Sequence, residues 1–225
     1  MPELSVVCLL GQGFEDSEFR VPYDRLRSAD VLVDVVGTRA GEELKGYRGK
    51  ETVRADKGID EVRPDDYGAL FIPGGYSPDH LRADPRFVSF VKAFEATGRT
   101  IAAVCHGPQP LITAELVRGR TLTAWKTIQG DLRQIGATVL DEPVVTDGNW
   151  ITSRQPSDLE AFSESLLHAL EAAQSGARGQ DAGQGEAETG EAAEAGFDTE
   201  KQRLRREAPA SAPDMARASA PRDKG

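Results

Sequence analysis

The chain has 225 residues, 39% of them hydrophobic and 28% charged, which is enough for one cored domain of roughly 150 to 200 residues with some chain left over. Its formal net charge of -10 argues against a nucleic-acid binder, whose phosphate contacts need basic patches. Two cysteines make no disulfide framework, the amino terminus lacks a basic stretch followed by an apolar signal core, and no apolar run approaches the ~18 residues of a bilayer span; the expectation is a soluble cytoplasmic protein with reduced thiols and no membrane association.

The first predicted element is SVVCLL, residues 5–10, short and nearly continuously apolar, as a strand covered on both faces should be. Cys8 falls in its middle and reads as a core thiol. GQGFEDSE follows, residues 11–18. It begins like a dinucleotide fingerprint, with Asp34 about 20 residues on, but Asp16 occupies the third glycine position and three carboxylates would repel a pyrophosphate. The acids suit a helix start instead: Glu15 and Glu18 are three apart, share a face near the sheet edge and sit where the helix dipole favours negative charge. Residues 14–29 carry the helical pattern, residues 31–36 read as a second strand, and YRGKETVRAD, residues 47–56, reads as an extra strand or hairpin.

ALFI, residues 69–72, is the next strand, and PGGYSPD follows it. Two glycines at a strand end allow a turn whose backbone N–H groups point into a cleft, as an oxyanion hole requires; those glycines are Gly74 and Gly75. Residues 84–98 read as a helix and residues 100–104 as a strand.

At the end of that strand stands Ala103-Val104-Cys105-His106-Gly107, the positions of a strand-to-helix nucleophile turn with alanine for the first glycine. Helix entry through Gly107 and Pro108 puts Cys105 at a helix amino terminus, where the dipole lowers a thiol pKa. The backbone N–H of His106 is a natural oxyanion donor, whereas adjacency alone does not pair its ring with the thiol. TVLDEPVVTD and NWITSR, turning at Asp147-Gly148, read as a hairpin, and residues 156–173 as the last helix, with His168 structural or on the surface and His80 undecided. Two cysteines and three scattered histidines show no metal-ligand spacing. From residue 175 the chain is rich in Ala, Gly, Glu and Pro; it is expected to stay disordered, with a transient helix over DTEKQRLRREA. The domain is thus residues 1–174 and the tail 175–225. Apolar strands alternating with helices give a doubly wound, mostly parallel α/β sheet, whose ligands sit beyond the carboxyl ends of its strands.

FEDSEF, LFIPGGYSPDHLR, AAVCHGP, VRGRTLTAW and ITSRQPSDLEAF, in that order, resemble the PfpI family of intracellular cysteine proteases and protein deglycases, within the class I glutamine amidotransferase-like superfamily. The similarity runs from about Leu4 to about Ala172, is nearest to the bacterial general-stress branch, and implies a flavodoxin-like fold. It lacks the later His and Glu of a glutamine amidotransferase. The resemblance implies Cys105 as nucleophile, His106 as catalytic histidine, and a thiol-contacting acid at Glu18 or Glu15, the spacing to Pro22 favouring Glu18. It also implies oxyanion donors at Gly75 and His106, and at Asp79 an acid that reaches the Cys-His pair from a neighbouring subunit. The archaeal protease has Glu there, so the reach here is about one methylene shorter. No cofactor is implied; a homo-oligomer, dimer or hexamer, is. The resulting expectation is a stress-response hydrolase acting on methylglyoxal or glyoxal adducts of proteins, or on the free aldehydes. A cysteine peptidase, and a non-enzymatic redox sensor or holdase, are the alternatives.

Overall fold

The structure is a computed structural model and describes residues 4–182. In chain order it contains β1 (Ser5–Leu9), α1 (Asp16–Ser28), β2 (Leu32–Gly37), β3 (Glu43–Lys45), β4 (Thr52–Arg54), β5 (Lys57–Gly58) and β6 (Ala69–Ile72). There follow α2 (Ser77–Ala83), α3 (Pro85–Glu95), β7 (Thr100–Val104), α4 (Gln109–Thr113), β8 (Thr121–Leu122) and α5 (Gln129–Ile135). The last elements are β9 (Thr138–Val139), β10 (Val144–Asp147), β11 (Trp150–Ser153) and α6 (Leu159–Ala182).

Seven strands form the central sheet in the order β10-β11-β7-β6-β1-β2-β5, parallel except for β10, which pairs antiparallel with β11. This is the α/β architecture that the alternation of apolar runs and helices predicts. Continuous apolar strands are required because both faces are covered. In β1, Val7 and Leu9 pack on one face with Phe87, Phe90 and Phe94 of α3. Val6 and Cys8 pack on the other with Phe19 and Leu26 of α1 and Phe162, Leu166 and Leu170 of α6. Cys8 is fully buried, as a core thiol should be. Trp150, also fully buried, donates its indole N–H to Glu95 Oε2 at 2.7 Å, so its one polar group is satisfied inside the core.

From β1 the chain adds β2 on one side, then crosses to place β6 on the other. The β1/β6 boundary is therefore the point where strand order reverses, and a crevice opens there beyond the carboxyl ends. The segments after β1, β6 and β7 all meet at it.

Several boundaries differ from the sequence reading. Residues 47–56 take the hairpin form of that reading, but its first strand lies earlier: Tyr47 to Lys50 turn, and β4 pairs back onto β3. The hairpin at Asp147-Gly148 forms as expected, with Asp147 opposite Trp150. The last helix begins at Leu159, after a 3-10 turn over Pro156–Asp158, and runs on to Ala182. The boundary expected at residue 174 thus falls inside α6, because Ala172, Ala173 and Gln174 favour helix and no proline stands between them and Ala182. The rest of the expected tail, with its helix over DTEKQRLRREA, lies outside the described residues. Among the described residues no helix is long and apolar enough to cross a membrane.

Candidate active site

Cys105 is the first residue past β7 and has φ +62°, a left-handed conformation costly for a residue with a side chain. Neighbouring backbone bonds hold it there: its N–H donates to Ser153 O at 2.9 Å, and its carbonyl accepts from Trp125 N at 3.0 Å. Gly107 allows the sharp bend, since a Cβ at that position would lie 2.5 Å from the carbonyl oxygen of Ile72.

One expectation is corrected here. The helix after this turn starts only at Gln109 and has five residues, because Pro108 and Pro110 bring no N–H donors. Cys105 therefore precedes the helix by four residues, and no dipole of useful length points at it. Its thiol pKa is raised, first by burial and then by the negative charge Glu18 would carry; the backbone N–H groups of Gly75 and His106 act in the opposite direction. Both N–H groups thus favour negative charge on the sulfur, as donors of an oxyanion hole must. The N–H of Gly74 favours the ionised Glu18 carboxyl instead, so the two loop glycines act on different groups of the site.

The three acids of FEDSEF divide their work. Glu15 is the N-cap of α1: its Oε2 accepts from Glu18 N at 2.8 Å and from Ser17 Oγ at 2.5 Å, and its Oε1 faces Arg48 Nε at 3.5 Å. Asp16 accepts backbone bonds from Arg48, Lys50 and Glu51 at 2.7 to 3.0 Å. Burial opposes ionisation of Asp16, but these donors outweigh it and hold the carboxyl below its ordinary pKa. Glu18 is the acid beside the thiol, fully buried, with no well-formed hydrogen bond to either carboxyl oxygen. Burial, and next the charge of Glu15, push its pKa up to about 8. At neutral pH Glu18 is therefore protonated, and in that state it no longer raises the thiol pKa.

Gly74 separates the two. A Cβ there would fall inside contact distance of Glu18 Oε2 and lie 2.7 Å from the Cβ of Cys105. Gly74→Ala is expected to force the pair apart, lowering stability by about 1–3 kcal/mol and turnover by about tenfold or more. Thermal melts and steady-state kinetics on one preparation check both; a variant matching the parent in each would refute this role for the glycine.

The ring of His106 turns back on the thiol, with Nδ1 3.3 Å from Sγ, which sequence adjacency did not reveal. Nε2 lies 3.3 Å from Thr127 Oγ1. Burial lowers the imidazole pKa, against the pull of the Asp79 charge, so the neutral ring predominates at pH 7. Asp79 lines the same cleft but is bound to Arg82 Nε at 2.9 Å and makes no hydrogen bond to His106 within the chain. His80 and His168 are exposed and outside the cleft lining. Asp34, the acid of the discarded fingerprint, is bound by Lys57 Nζ and Tyr67 OH, both at 2.7 Å. Among the described residues no cluster of three or more His, Cys, Asp or Glu side chains could hold a metal ion.

The cleft has a volume of about 420 Å³. Its rim adds residues the sequence did not single out: Tyr47 and Arg48 from the β3–β4 turn, Tyr76 after β6, and Trp125 after β8. Of these, Trp125 closes the VRGRTLTAW stretch, so it carried a sequence signal. The loops are stitched by backbone bonds, Glu15 N to Gly74 O at 3.1 Å, Tyr47 N to Phe14 O at 2.9 Å and Tyr76 N to Gly13 O at 2.8 Å.

Residues 4–169 match the DJ-1/PfpI family. The chain is 46% identical over 166 residues to protein/nucleic acid deglycase 2 of Escherichia coli K12, covering 73% of this chain and 96% of that protein. It is 44% identical over 168 residues to an uncharacterized protein of Staphylococcus aureus Mu50, covering 74% and 98%. Among solved structures, Drosophila melanogaster DJ-1beta superposes with TM-score 0.70 at 29% identity, over 78% of this chain and 96% of that one. A two-domain Anabaena variabilis protein with DJ-1/ThiJ/PfpI-like and ferritin-like domains gives 0.74 at 41% identity; the match covers 75% of this chain and 48% of that one.

Proposed function

The chain belongs to the DJ-1/PfpI family, and from that membership we propose that it is a cysteine-dependent deglycase, releasing a 2-hydroxy acid from methylglyoxal or glyoxal adducts or from the free aldehydes. The observation that carries this reading is the surroundings of the Cys105 sulfur: a buried Glu18 carboxyl, the N–H groups of Gly75 and His106, and His106 Nδ1 at 3.3 Å. The deglycase relative at 46% identity supports hydrolase chemistry of this type.

In the proposed reaction the thiolate attacks the hydroxyl-bearing carbon of the adduct R–NH–CH(OH)–CO–CH3, and the C–N bond breaks. The neutral His106 ring takes the Cys105 proton as the thiolate forms, and gives it to the departing amine. The resulting hemithioacetal passes a proton from that carbon to its neighbour, with Glu18 or His106 as carrier, and becomes a thioester of lactate. Water then cleaves the thioester, restoring the thiol. The sum is adduct plus water to free amine plus lactate, without external oxidant or reductant. The Gly75 and His106 N–H groups stabilise the oxyanions on the way. A cleft of about 420 Å³ suits a small adduct better than a length of polypeptide.

Lactate release from methylglyoxal-treated Nα-acetylarginine tests the reading. Iodoacetamide is expected to alkylate Cys105, to leave the fully buried Cys8 untouched, and to stop release in proportion to Cys105 modification. Release that survives complete alkylation of Cys105 would overturn it.

A further inference from the structure

We propose that Arg48 sets the specificity of this cleft, and that the preferred substrates are small adducts that also carry an anionic group, a carboxylate or a phosphate, which Arg48 binds while Cys105 attacks the adduct carbon. This inference rests on the deglycase reading and names the substrate class of the same site.

The first observation is how firmly Arg48 is presented. Its backbone N–H is bound by the Asp16 carboxylate at 3.0 Å, and the same carboxylate takes the N–H groups of Lys50 and Glu51, so the whole turn is clamped to the start of α1. Its side chain is fixed on one edge only. Nε donates to Tyr47 OH at 2.7 Å and faces Glu15 Oε1 at 3.5 Å, and the guanidinium lies 5.2 Å from the Tyr47 ring centre. Among the described residues neither terminal nitrogen has a hydrogen-bond partner, although the side chain borders the cleft and is 54% exposed. A guanidinium held along one edge with the other edge open matches the fork that binds carboxylate and phosphate oxygens.

The second observation is the charge of the rest of the lining. It holds three acids, which by count should repel an anion. Each has a partner or a proton that offsets part of its charge. Glu18 is protonated near neutral pH. Glu15 is engaged by Ser17, by the Glu18 N–H and by Arg48. Asp79 is bound by Arg82. Arg48 is the only lysine or arginine among the lining residues, so its open terminal nitrogens are the one place in the lining where an anion meets a full positive charge, although Asp79 keeps its second oxygen free of Arg82.

The test compares methylglyoxal adducts in two matched pairs, Nα-acetylarginine against its amide and guanosine 5′-phosphate against guanosine. The wild-type protein is expected to favour the anionic member of at least one pair by about tenfold in kcat/KM, chiefly through KM. That preference should shrink as salt rises from about 0.05 to 0.5 M. Arg48→Met should abolish it, bringing the anionic-to-neutral ratio of kcat/KM in each pair to about one. A preference confined to the acetylarginine pair identifies a carboxylate, one confined to the nucleoside pair a phosphate, and either supports the assignment. No preference in the wild-type protein, or equal slowing of all four adducts by Arg48→Met, overturns it and leaves the deglycase reading standing. Failure of the wild-type protein to turn over any adduct overturns both.

Discussion

Replacing Cys105 with alanine is expected to lower lactate release from methylglyoxal and its adducts by about a thousandfold or more, with little change in melting temperature. Loss of a nucleophile removes the covalent route as a whole, and the remaining groups give only the residual acceleration of binding and oxyanion stabilisation. The thiol is 7% exposed and its removal takes away one sulfur atom, so the packing loss is small beside the loss of chemistry. The strained φ of +62° stays in the variant, as does the Cys105 N–H bond to Ser153. The measurement is lactate appearance from equal concentrations of the two proteins, without glutathione and in a buffer free of Tris, whose amine consumes the aldehyde. Equal rates would mean that the nucleophile is elsewhere, or that the observed chemistry is not the protein's own.

The parts of this site that could be read from the sequence are those fixed by short-range physics. The runs that became β1, β6 and β7 are continuously apolar because both faces of the sheet are covered. The turn residues Ala103 to Gly107 carry their geometry in their size. Strand ends then bring FEDSEF, PGG and CHG to one edge without further assumption. The two-residue strands β5 and β8 and the two-turn helices α2 and α5 are too short for a strand run or a helical period to register.

The choice between Glu15 and Glu18 is open in the sequence because it depends on where α1 begins. With Glu15 in extended backbone at φ -75° and ψ 122°, it becomes the cap, and the residue three places on turns inward to the thiol. Arg48 is still less visible. It reaches the cleft only because Asp16, 32 residues earlier, binds the turn that carries it. The thiol pKa departs from the sequence expectation for a related reason: two prolines delay the helix to Gln109, so burial and Glu18 decide the direction rather than a dipole.

Glu18→Gln is expected to make the protein more stable than the parent, by a margin that grows as pH rises from about 5 to about 8. Glutamine has the shape of a protonated carboxyl and keeps a donor, but never ionises. In the folded parent Glu18 titrates near pH 8, whereas an unfolded glutamate titrates near its ordinary 4.5. Between those values the folded state binds more protons than the unfolded state, so parental stability falls with rising pH. The slope from this one group approaches about 1.4 kcal/mol per pH unit. Below about pH 4.5 both states are protonated and the difference between parent and variant vanishes; above about 8 it levels off. Relaxation around the buried carboxylate reduces the full value, leaving a gain of about 2–4 kcal/mol at pH 8. Taking the difference between the two proteins cancels the other titrating groups. Denaturant melts of parent and variant at pH 5, 6, 7 and 8 therefore isolate the group, and a constant gap across that range would show that Glu18 is ionised in the folded protein. The same substitution is expected to slow turnover, because the amide cannot carry the proton between the two carbons of the hemithioacetal. A more stable and less active variant would locate in Glu18 the stability that the fold gives up to keep a proton beside Cys105.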